Sequence, residues 1–185
     1  MTRAENVLSW LDSAVSRKAL WFMLYLEIAG KLVEFLKEHG MHVTTAESCT
    51  GGMISSAIVD VPGASSVLTE AYVTYSNEAK MRLLGVKAET LEKFGAVSGE
   101  TVREMAEGAK RVTKADCVIA VSGVAGPDGG SEDKPVGTIY AGFVIGSRSW
   151  VRNFRFSGTR REVREQTTRM ALEELYINLV SKFIA

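Results

Sequence analysis

Short runs of apolar and β-branched residues alternate along the chain with longer segments of helical period. The short runs predict strands; they are residues 41–45, 71–75, 117–121, 138–145 and 150–156. The run 117–121 is apolar throughout, as expected of a strand buried on both faces of a sheet. Only residues 146–149 separate the last two runs, which predicts a hairpin and therefore an antiparallel pair.

The segments of helical period predict helices; they are residues 20–38, 53–59, 77–84, 88–94, 99–113 and 159–183. Ser76 and Ser98 are placed to cap two of them, and Gly40, Gly85 and Gly95 are natural ends. These helices are more than one face of a sheet can hold. The pattern therefore predicts an α/β fold, a three-layer α/β/α sandwich with a mixed central sheet.

The 185 residues fit one domain, and the 22 basic and 22 acidic side chains give a formal net charge of zero. Binding of nucleic acid needs an excess of Lys and Arg, so no nucleic-acid partner is expected. The two Cys and two His show no metal-ligand spacing, so no metal is expected. Two cysteines do not make a disulfide framework either, which favours a cytoplasmic protein.

The most apolar stretch near the start, residues 19–26, is too short to cross a bilayer, which needs about 20 residues. No membrane partner is therefore expected, and the mixed charges of residues 1–18 do not suggest a signal peptide. We interpret residues 1–23 as an N-terminal helical extension that covers the domain or forms a subunit contact. Residues 24–185 would form the main domain, and a homo-oligomer is expected, with a dimer favoured.

The first segment that suggests chemistry is the turn Ala46–Gly52, which follows a predicted strand and precedes a predicted helix. Backbone N–H groups of Cys49, Thr50, Gly51 and Gly52 are expected to point outward unpaired, where they would attract a phosphate or an oxyanion. Ser48 and Thr50 add hydroxyl groups. An ordinary capped helix with a glycine turn explains the same residues without function.

Three further segments carry polar groups. Lys80 falls near the start of a short helix. A lysine whose pKa is lowered at such a position can act as a base toward a serine. A solvated surface lysine is the simpler interpretation. The glycine-rich segment from Ser122 to Gly130 follows the buried strand, where α/β proteins bind ligands. Arg160, Arg161 and Arg164 open the last helix, so they either bind an anion or form a solvated basic turn.

Taken together, the segments resemble the motifs of the CinA C-terminal domain family, in the family's order and with similar spacing over residues 24–184. They read TAESCTGG from Thr45, YSNEAK from Tyr75, SGVAGP from Ser122 and GTR from Gly158. Two positions depart from the usual pattern. Ser122 stands where the family often has Thr, and Thr159 stands where it often has Asp, which puts any role of that acid in doubt.

The resemblance implies a nicotinamide mononucleotide deamidase, a hydrolase acting on a linear amide in pyridine nucleotide salvage. Ser48 would be the nucleophile, Lys80 its base, and Tyr75 would orient Lys80 or relay a proton. The implied substrate-binding residues are Cys49, Thr50, Gly51, Gly52, Ser122, Gly123, Gly126 and Arg160. The only implied partner at the site is the small nucleotide substrate, and no cofactor is implied.

Two alternatives stay open at this point. Cys49 stands beside Ser48, and a thiolate at a helix start is a good nucleophile. The chain could also be a non-catalytic nucleotide-binding regulatory module linked to competence or to the DNA damage response.

Overall fold

The computed structural model describes residues 14–184, with side chains described for residues 25–183. Six α-helices and five strands are found in this part of the chain. The helices are α1 (Ala14–Glu38), α2 (Met53–Val59), α3 (Asn77–Leu84), α4 (Ala88–Phe94), α5 (Gly99–Thr113) and α6 (Arg160–Ile184). The strands are β1 (Val43–Glu47), β2 (Leu68–Val73), β3 (Cys117–Gly123), β4 (Thr138–Ile145) and β5 (Arg148–Arg155), and a short 3-10 turn covers Ala64–Ser66.

The five strands form one mixed sheet in the order β2-β1-β3-β4-β5. Strands β2, β1 and β3 are parallel, whereas β4 and β5 are antiparallel to their neighbours. The predicted hairpin is confirmed, with its turn at Gly146 and Ser147. The predicted mixed sheet is therefore confirmed as well.

Helices cover both faces of the sheet and enclose two hydrophobic cores. Helices α1, α2 and α6 pack on the face to which β3 presents Cys117, Ile119 and Val121. Helices α3, α4 and α5 form the layer on the other face, toward which β3 presents Val118 and Ala120. The alternation follows from the period of two along a strand. The predicted three-layer α/β/α sandwich is confirmed.

Several element boundaries differ from the predictions by a few residues. Strand β1 continues to Glu47 instead of ending at Thr45, because Glu47 still pairs with Val73 of β2 and Val121 of β3. Strand β2 covers residues 68–73 instead of 71–75, so Thr74 and Tyr75 follow it. Helix α1 begins at Ala14 instead of residue 20.

The earlier start of α1 bears on the predicted N-terminal extension. Residues 14–23 belong to the same continuous helix as residues 24–38, and residues 1–13 lie outside the described part of the chain. The boundary at residue 23 stays a prediction. Among residues 14–184, none of the helices has an apolar stretch long enough to span a membrane.

Helices α3 and α5 are in close contact on one face of the sheet. Gly108, in the middle of α5, lies against the end of α3, and a Cβ atom at this position would overlap the carbonyl oxygen of Leu84. The same oxygen accepts a hydrogen bond from Arg111 Nη2 at 2.8 Å. The position of α3 therefore depends on a glycine in α5.

Candidate active site

The candidate site lies where the three parallel strands end. Ser48 follows β1, Thr74 and Tyr75 follow β2, and Gly123 ends β3. The carboxyl ends of neighbouring parallel strands meet at one edge of a sheet, which is where α/β proteins bind ligands. Two backbone bonds fix this edge, from Ser48 N to Val121 O at 3.0 Å and from Thr74 N to Glu47 O at 2.8 Å.

A serine and a lysine meet at this edge. Lys80 Nζ lies 3.2 Å from Ser48 Oγ, although the two residues are 32 positions apart in the chain. Lys80 is on α3, which begins after Ser76, whose hydroxyl accepts a hydrogen bond from Ala79 N and caps the helix. The proximity of Ser48 and Lys80 is confirmed, and the solvated surface lysine is excluded because only 1% of Lys80 is exposed.

Lys80 is held by backbone carbonyl groups and has no carboxylate partner among the ion pairs of the described residues. Its Nζ donates to Thr74 O at 2.9 Å and to Tyr75 O at 3.3 Å. Burial lowers the pKa of Lys80, and the negative charges of Cys49 and Glu78, when ionised, oppose this effect. A lowered pKa increases the neutral fraction of the amine, which is the form that accepts a proton.

Glu47 organises the turn that presents Ser48. Its carboxylate is fully buried and accepts hydrogen bonds from the N–H groups of Gly52, Ile54 and Ser55 at 2.8–3.0 Å. It also accepts from the hydroxyl groups of Thr45 and Thr50. The charge of Glu47 is thus compensated by backbone and hydroxyl donors, and the turn is fixed to the end of β1.

These bonds correct the expectation of four unpaired N–H groups. Gly52 N donates to Glu47, and Gly51 N donates to Ser48 O at 3.1 Å. The hydroxyl of Thr50 donates to Glu47 at 2.7 Å, so it is not directed at a substrate. Gly51 and Gly52 adopt φ values of 59° and 95°, which explains why glycine occupies both positions of the turn.

Arg164 of α6 holds the other side of the same turn. Its Nε donates to Cys49 O at 3.1 Å and its Nη2 to Thr50 O at 2.6 Å. In the described part of the chain, no oxygen accepts a hydrogen bond from the N–H groups of Cys49 or Thr50. Both N–H groups lie beside the Cys49 sulfur. In the described residues, the acceptor beside these two amides is thus the Cys49 sulfur, which accepts hydrogen bonds only weakly.

Cys49 is poorly suited to be the nucleophile. Only 6% of the residue is exposed, and burial raises the pKa of its thiol to about 12. The N–H groups of Cys49 and Thr50 and the charge of Arg164 lower this pKa, but burial has the larger effect. At neutral pH the thiol is protonated, and a protonated thiol is a weak nucleophile.

A cavity of about 200 Å³ opens beside Ser48 and Lys80. Its lining contains seven of the predicted site residues, namely Ser48, Cys49, Tyr75, Lys80, Ser122, Gly123 and Arg160. It also contains Ala96 and Val97, which the sequence did not indicate, and Ala125, which lies within the predicted segment from Ser122 to Gly130. Four predicted site residues are outside this lining, namely Thr50, Gly51, Gly52 and Gly126. The Ser122 hydroxyl donates to Ala96 O at 2.7 Å and so fixes one wall.

Tyr75 and Arg160 meet at the outer part of the cavity. The Tyr75 side chain is exposed, and its hydroxyl accepts a hydrogen bond from Arg160 Nη2 at 3.1 Å. Lys80 Nζ donates to the Tyr75 carbonyl, and the role of Tyr75 in orienting Lys80 or relaying a proton stays a prediction. Gly126 contributes its carbonyl, which accepts from Arg160 Nη1 at 2.7 Å.

The three arginines at the start of α6 have three different surroundings. Arg160 borders the cavity, Arg164 holds the Ser48 turn, and Arg161 pairs with Glu165 at 2.6 Å on the exposed face. The anion-binding interpretation is therefore restricted to Arg160. Among the side chains of residues 25–183, no three His, Cys, Asp or Glu residues come together as a metal site.

Fold and site together define the class of this protein: an α/β/α sandwich domain with a buried Ser–Lys pair at the carboxyl edge of its sheet. The profile of the CinA C-terminal domain matches residues 26–179. The chain belongs to the CinA C-terminal domain family.

Relatives and solved structures agree with this assignment. A CinA-like protein of Petrotoga mobilis is 45% identical over 172 residues, which cover 93% of this chain and 42% of that protein. A putative competence-damage inducible protein of Clostridioides difficile is 49% identical over 146 residues, covering 79% of this chain and 35% of its own length. The chain thus spans less than half of these curated relatives.

Among solved structures, the competence/damage inducible protein CihA from Agrobacterium tumefaciens superposes with a TM-score of 0.81 at 41% identity. The superposition covers 82% of this chain and 93% of that one. The competence damage-inducible protein A from Klebsiella pneumoniae gives a TM-score of 0.82 at 35% identity, with 84% and 97% covered. The fold described above is therefore that of the family.

Proposed function

We propose that this domain hydrolyses the carboxamide of nicotinamide mononucleotide, giving nicotinate mononucleotide and ammonia. The observation that carries the proposal is the 3.2 Å contact between Ser48 Oγ and the fully buried Lys80 Nζ beside a cavity. A serine becomes a nucleophile when an adjacent base takes its proton, and a buried lysine of lowered pKa is such a base. The choice of this amide comes from the family resemblance of the four motifs.

The reaction proceeds in two steps, acylation of Ser48 and hydrolysis of the resulting ester. Ser48 Oγ attacks the carboxamide carbon while its proton passes to the neutral amine of Lys80. The tetrahedral intermediate collapses, the C–N bond breaks, and Lys80 returns the proton to the leaving group, which departs as ammonia. Water then attacks the Ser48 ester while Lys80 takes a proton from this water and returns it to Ser48, and the acid product loses its remaining proton to solvent and leaves as the carboxylate.

The negative charge of the tetrahedral intermediate needs donors on the Ser48 side of the cavity. The N–H groups of Cys49 and Thr50 are the two amides of the turn that have no oxygen acceptor within the described chain. Donors of this kind stabilise a developing oxyanion more than the neutral carbonyl, and they increase the rate for that reason. We assign the oxyanion site to these two groups.

The dimensions of the cavity favour a substrate that is only partly enclosed. At about 200 Å³ the cavity is smaller than the roughly 300–1,000 Å³ typical of sites that enclose a whole small ligand. The pyridinium ring would lie against Ala96, Val97 and Ala125, which supply apolar surface. The ribose phosphate would extend outward to Arg160, whose guanidinium is exposed at the rim.

The proposal is tested by ammonia release from nicotinamide mononucleotide, measured on the wild type and on three variants. Ser48→Ala and Lys80→Ala should each lower kcat by several orders of magnitude while the mononucleotide still binds, because both groups act mainly in the transition state. The double variant should lose little more, since the two residues act as a unit. Cys49→Ala is the matched control and should keep most of the activity.

Two outcomes would contradict the proposal in different ways. An inactive Cys49→Ala beside an active Ser48→Ala would make the domain a thiol hydrolase. A wild type that binds the mononucleotide and releases no ammonia would favour the regulatory module, in which Ser48 is a binding group.

A further inference from the structure

Arg164 connects two parts of the chain that are far apart in sequence. It lies in the second turn of α6 and reaches the Ser48 turn, 114 and 115 residues away, through its bonds to Thr50 O and Cys49 O. The guanidinium also lies against Gly51, where a Cβ atom would be 3.4 Å from Arg164 Nη2. A long side chain that gives two donors to two consecutive carbonyls fixes the orientation of both peptide planes.

The geometry of the peptide bond determines where the neighbouring N–H group points once the carbonyl is held by Arg164. In a trans peptide the C=O and the N–H point in opposite directions. Cys49 O and Thr50 N–H belong to one such peptide, so an arginine bound to Cys49 O directs Thr50 N–H to the opposite side of the turn. On that side lies the Cys49 sulfur, and Cys49 lines the cavity.

We propose that Arg164 is a positioning residue that holds the Thr50 amide donor toward the reacting carbonyl and strengthens it by polarising the Cys49–Thr50 peptide. The role rests on the proposed function, since it acts on the oxyanion of the Ser48 reaction. Hydrogen bonds in a chain strengthen one another, and the positive charge on the carbonyl side makes the N–H a better donor. Among the described residues, Arg164 makes no hydrogen bond to Ser48, and it is outside the lining of the cavity.

The planar guanidinium is essential to this role. Arg164 binds the two carbonyls through Nε and Nη2, which a lysine ammonium cannot reproduce because it is a single point charge on a flexible stem. Arg161 provides the matched control, because it is an arginine of the same helix, three positions earlier, that pairs with Glu165 on the exposed face.

The test compares Arg164→Ala, Arg164→Lys and Arg161→Ala in the ammonia-release assay. Both Arg164 variants should lower kcat about thirtyfold with KM changed less than about twofold, a smaller effect than the roughly 10²–10³-fold loss of a direct oxyanion donor. Guanidinium ion at millimolar concentration should restore much of the rate of Arg164→Ala by occupying the vacated place. Arg161→Ala should retain the wild-type kcat and show no response to guanidinium.

The thermal midpoint of each variant separates a positioning role from a loss of folded protein. If Arg164→Ala does not fold, Arg164→Lys decides, and a folded lysine variant with wild-type kcat overturns the proposal. A folded Arg164→Ala with wild-type kcat, or with a loss that guanidinium does not restore, overturns it as well. A wild type that releases no ammonia removes the proposed function and this role together, whereas an active wild type with an active Arg164→Ala removes only the role of Arg164.

Discussion

Lys80 shows at the scale of a single residue how burial changes the chemistry of the candidate site. Removing an ammonium group from water costs free energy, and this cost falls when the group becomes neutral. The carbonyls of Thr74 and Tyr75 accept from Nζ in place of water, and Ser48 Oγ is the remaining contact. Burial thus favours the neutral amine, which is the form that can accept a proton from the neighbouring hydroxyl.

The lowered pKa of Lys80 predicts the pH dependence of the reaction. The neutral amine is the active form, so kcat/KM should rise with pH along a limb whose midpoint lies below the ordinary pKa of lysine. The pH profile of ammonia release measures this midpoint in the wild type. A limb centred at or above the ordinary lysine value would contradict the assignment of Lys80 as the base.

The lowered pKa of Lys80 should also affect how the free energy of unfolding depends on pH. Between its folded and its unfolded pKa, Lys80 binds more protons in the unfolded chain than in the folded one. The free energy of unfolding therefore rises with pH across that window. Lys80→Met should lack this part of the slope, and chemical denaturation of both proteins at several pH values measures the difference.

Glu47 and Arg164 mark what the sequence alone could not predict at this scale. The motif around Ser48 and the contact with Lys80 could be predicted, because residue types and order carry them. Glu47 looks like any acidic residue at a strand end, and its interaction with the N–H groups of Gly52, Ile54 and Ser55 requires the turn to fold back on it. The contacts of the Arg164 side chain depend on how α6 packs against the rest of the domain, and the local sequence pattern does not predict this packing.

At the scale of helices and strands, the type of each element was easier to predict than the residues at which it begins and ends. The caps at Ser76 and Ser98 are confirmed, because a serine before a helix accepts a bond from its first turn wherever the helix lies. The end of β1 was predicted two residues too early. Its true end is set by pairing with β2 and β3, and Glu47, a weak strand former, is held there by its neighbours.

The close packing of α3 on α5 gives a prediction about the element that carries Lys80. Gly108→Ala places a Cβ against the Leu84 carbonyl, so α3 must shift. We expect a loss of about 1–3 kcal/mol in the free energy of unfolding, as for overpacked cores, and a lower kcat because Lys80 moves away from Ser48. Denaturant unfolding and ammonia release measure the two effects.

Gly30 in α1 is the matched control for this substitution. No atom lies within 4 Å of a Cβ built at Gly30, so Gly30→Ala removes only the entropic cost of a helical glycine. It should stabilise the protein by about 0.5–1 kcal/mol with unchanged kcat. Equal effects of the two substitutions would show that the contact between α3 and α5 does not position Lys80.

For the whole molecule, the order of elements was sufficient to predict the three-layer sandwich, because helices on both sides of a mixed sheet are the stable way to bury its two faces. The strand topology also brings together segments that are far apart in the sequence. Ser48 and Lys80 are brought together by the parallel pairing of β1 and β2, and Arg160 reaches the same cavity from α6. The site is therefore a property of the complete sandwich.

The central claim, that Ser48 is the nucleophile, is tested most directly by the covalent intermediate. Wild-type protein is mixed with nicotinamide mononucleotide, quenched in acid before the first turnover is complete, and analysed by peptide mass spectrometry. We expect an acyl group derived from the pyridine carboxamide, bound as an ester to Ser48 and absent from Ser48→Ala. A thioester on Cys49, or steady release of ammonia with no acylated chain in any quenched sample, would contradict it.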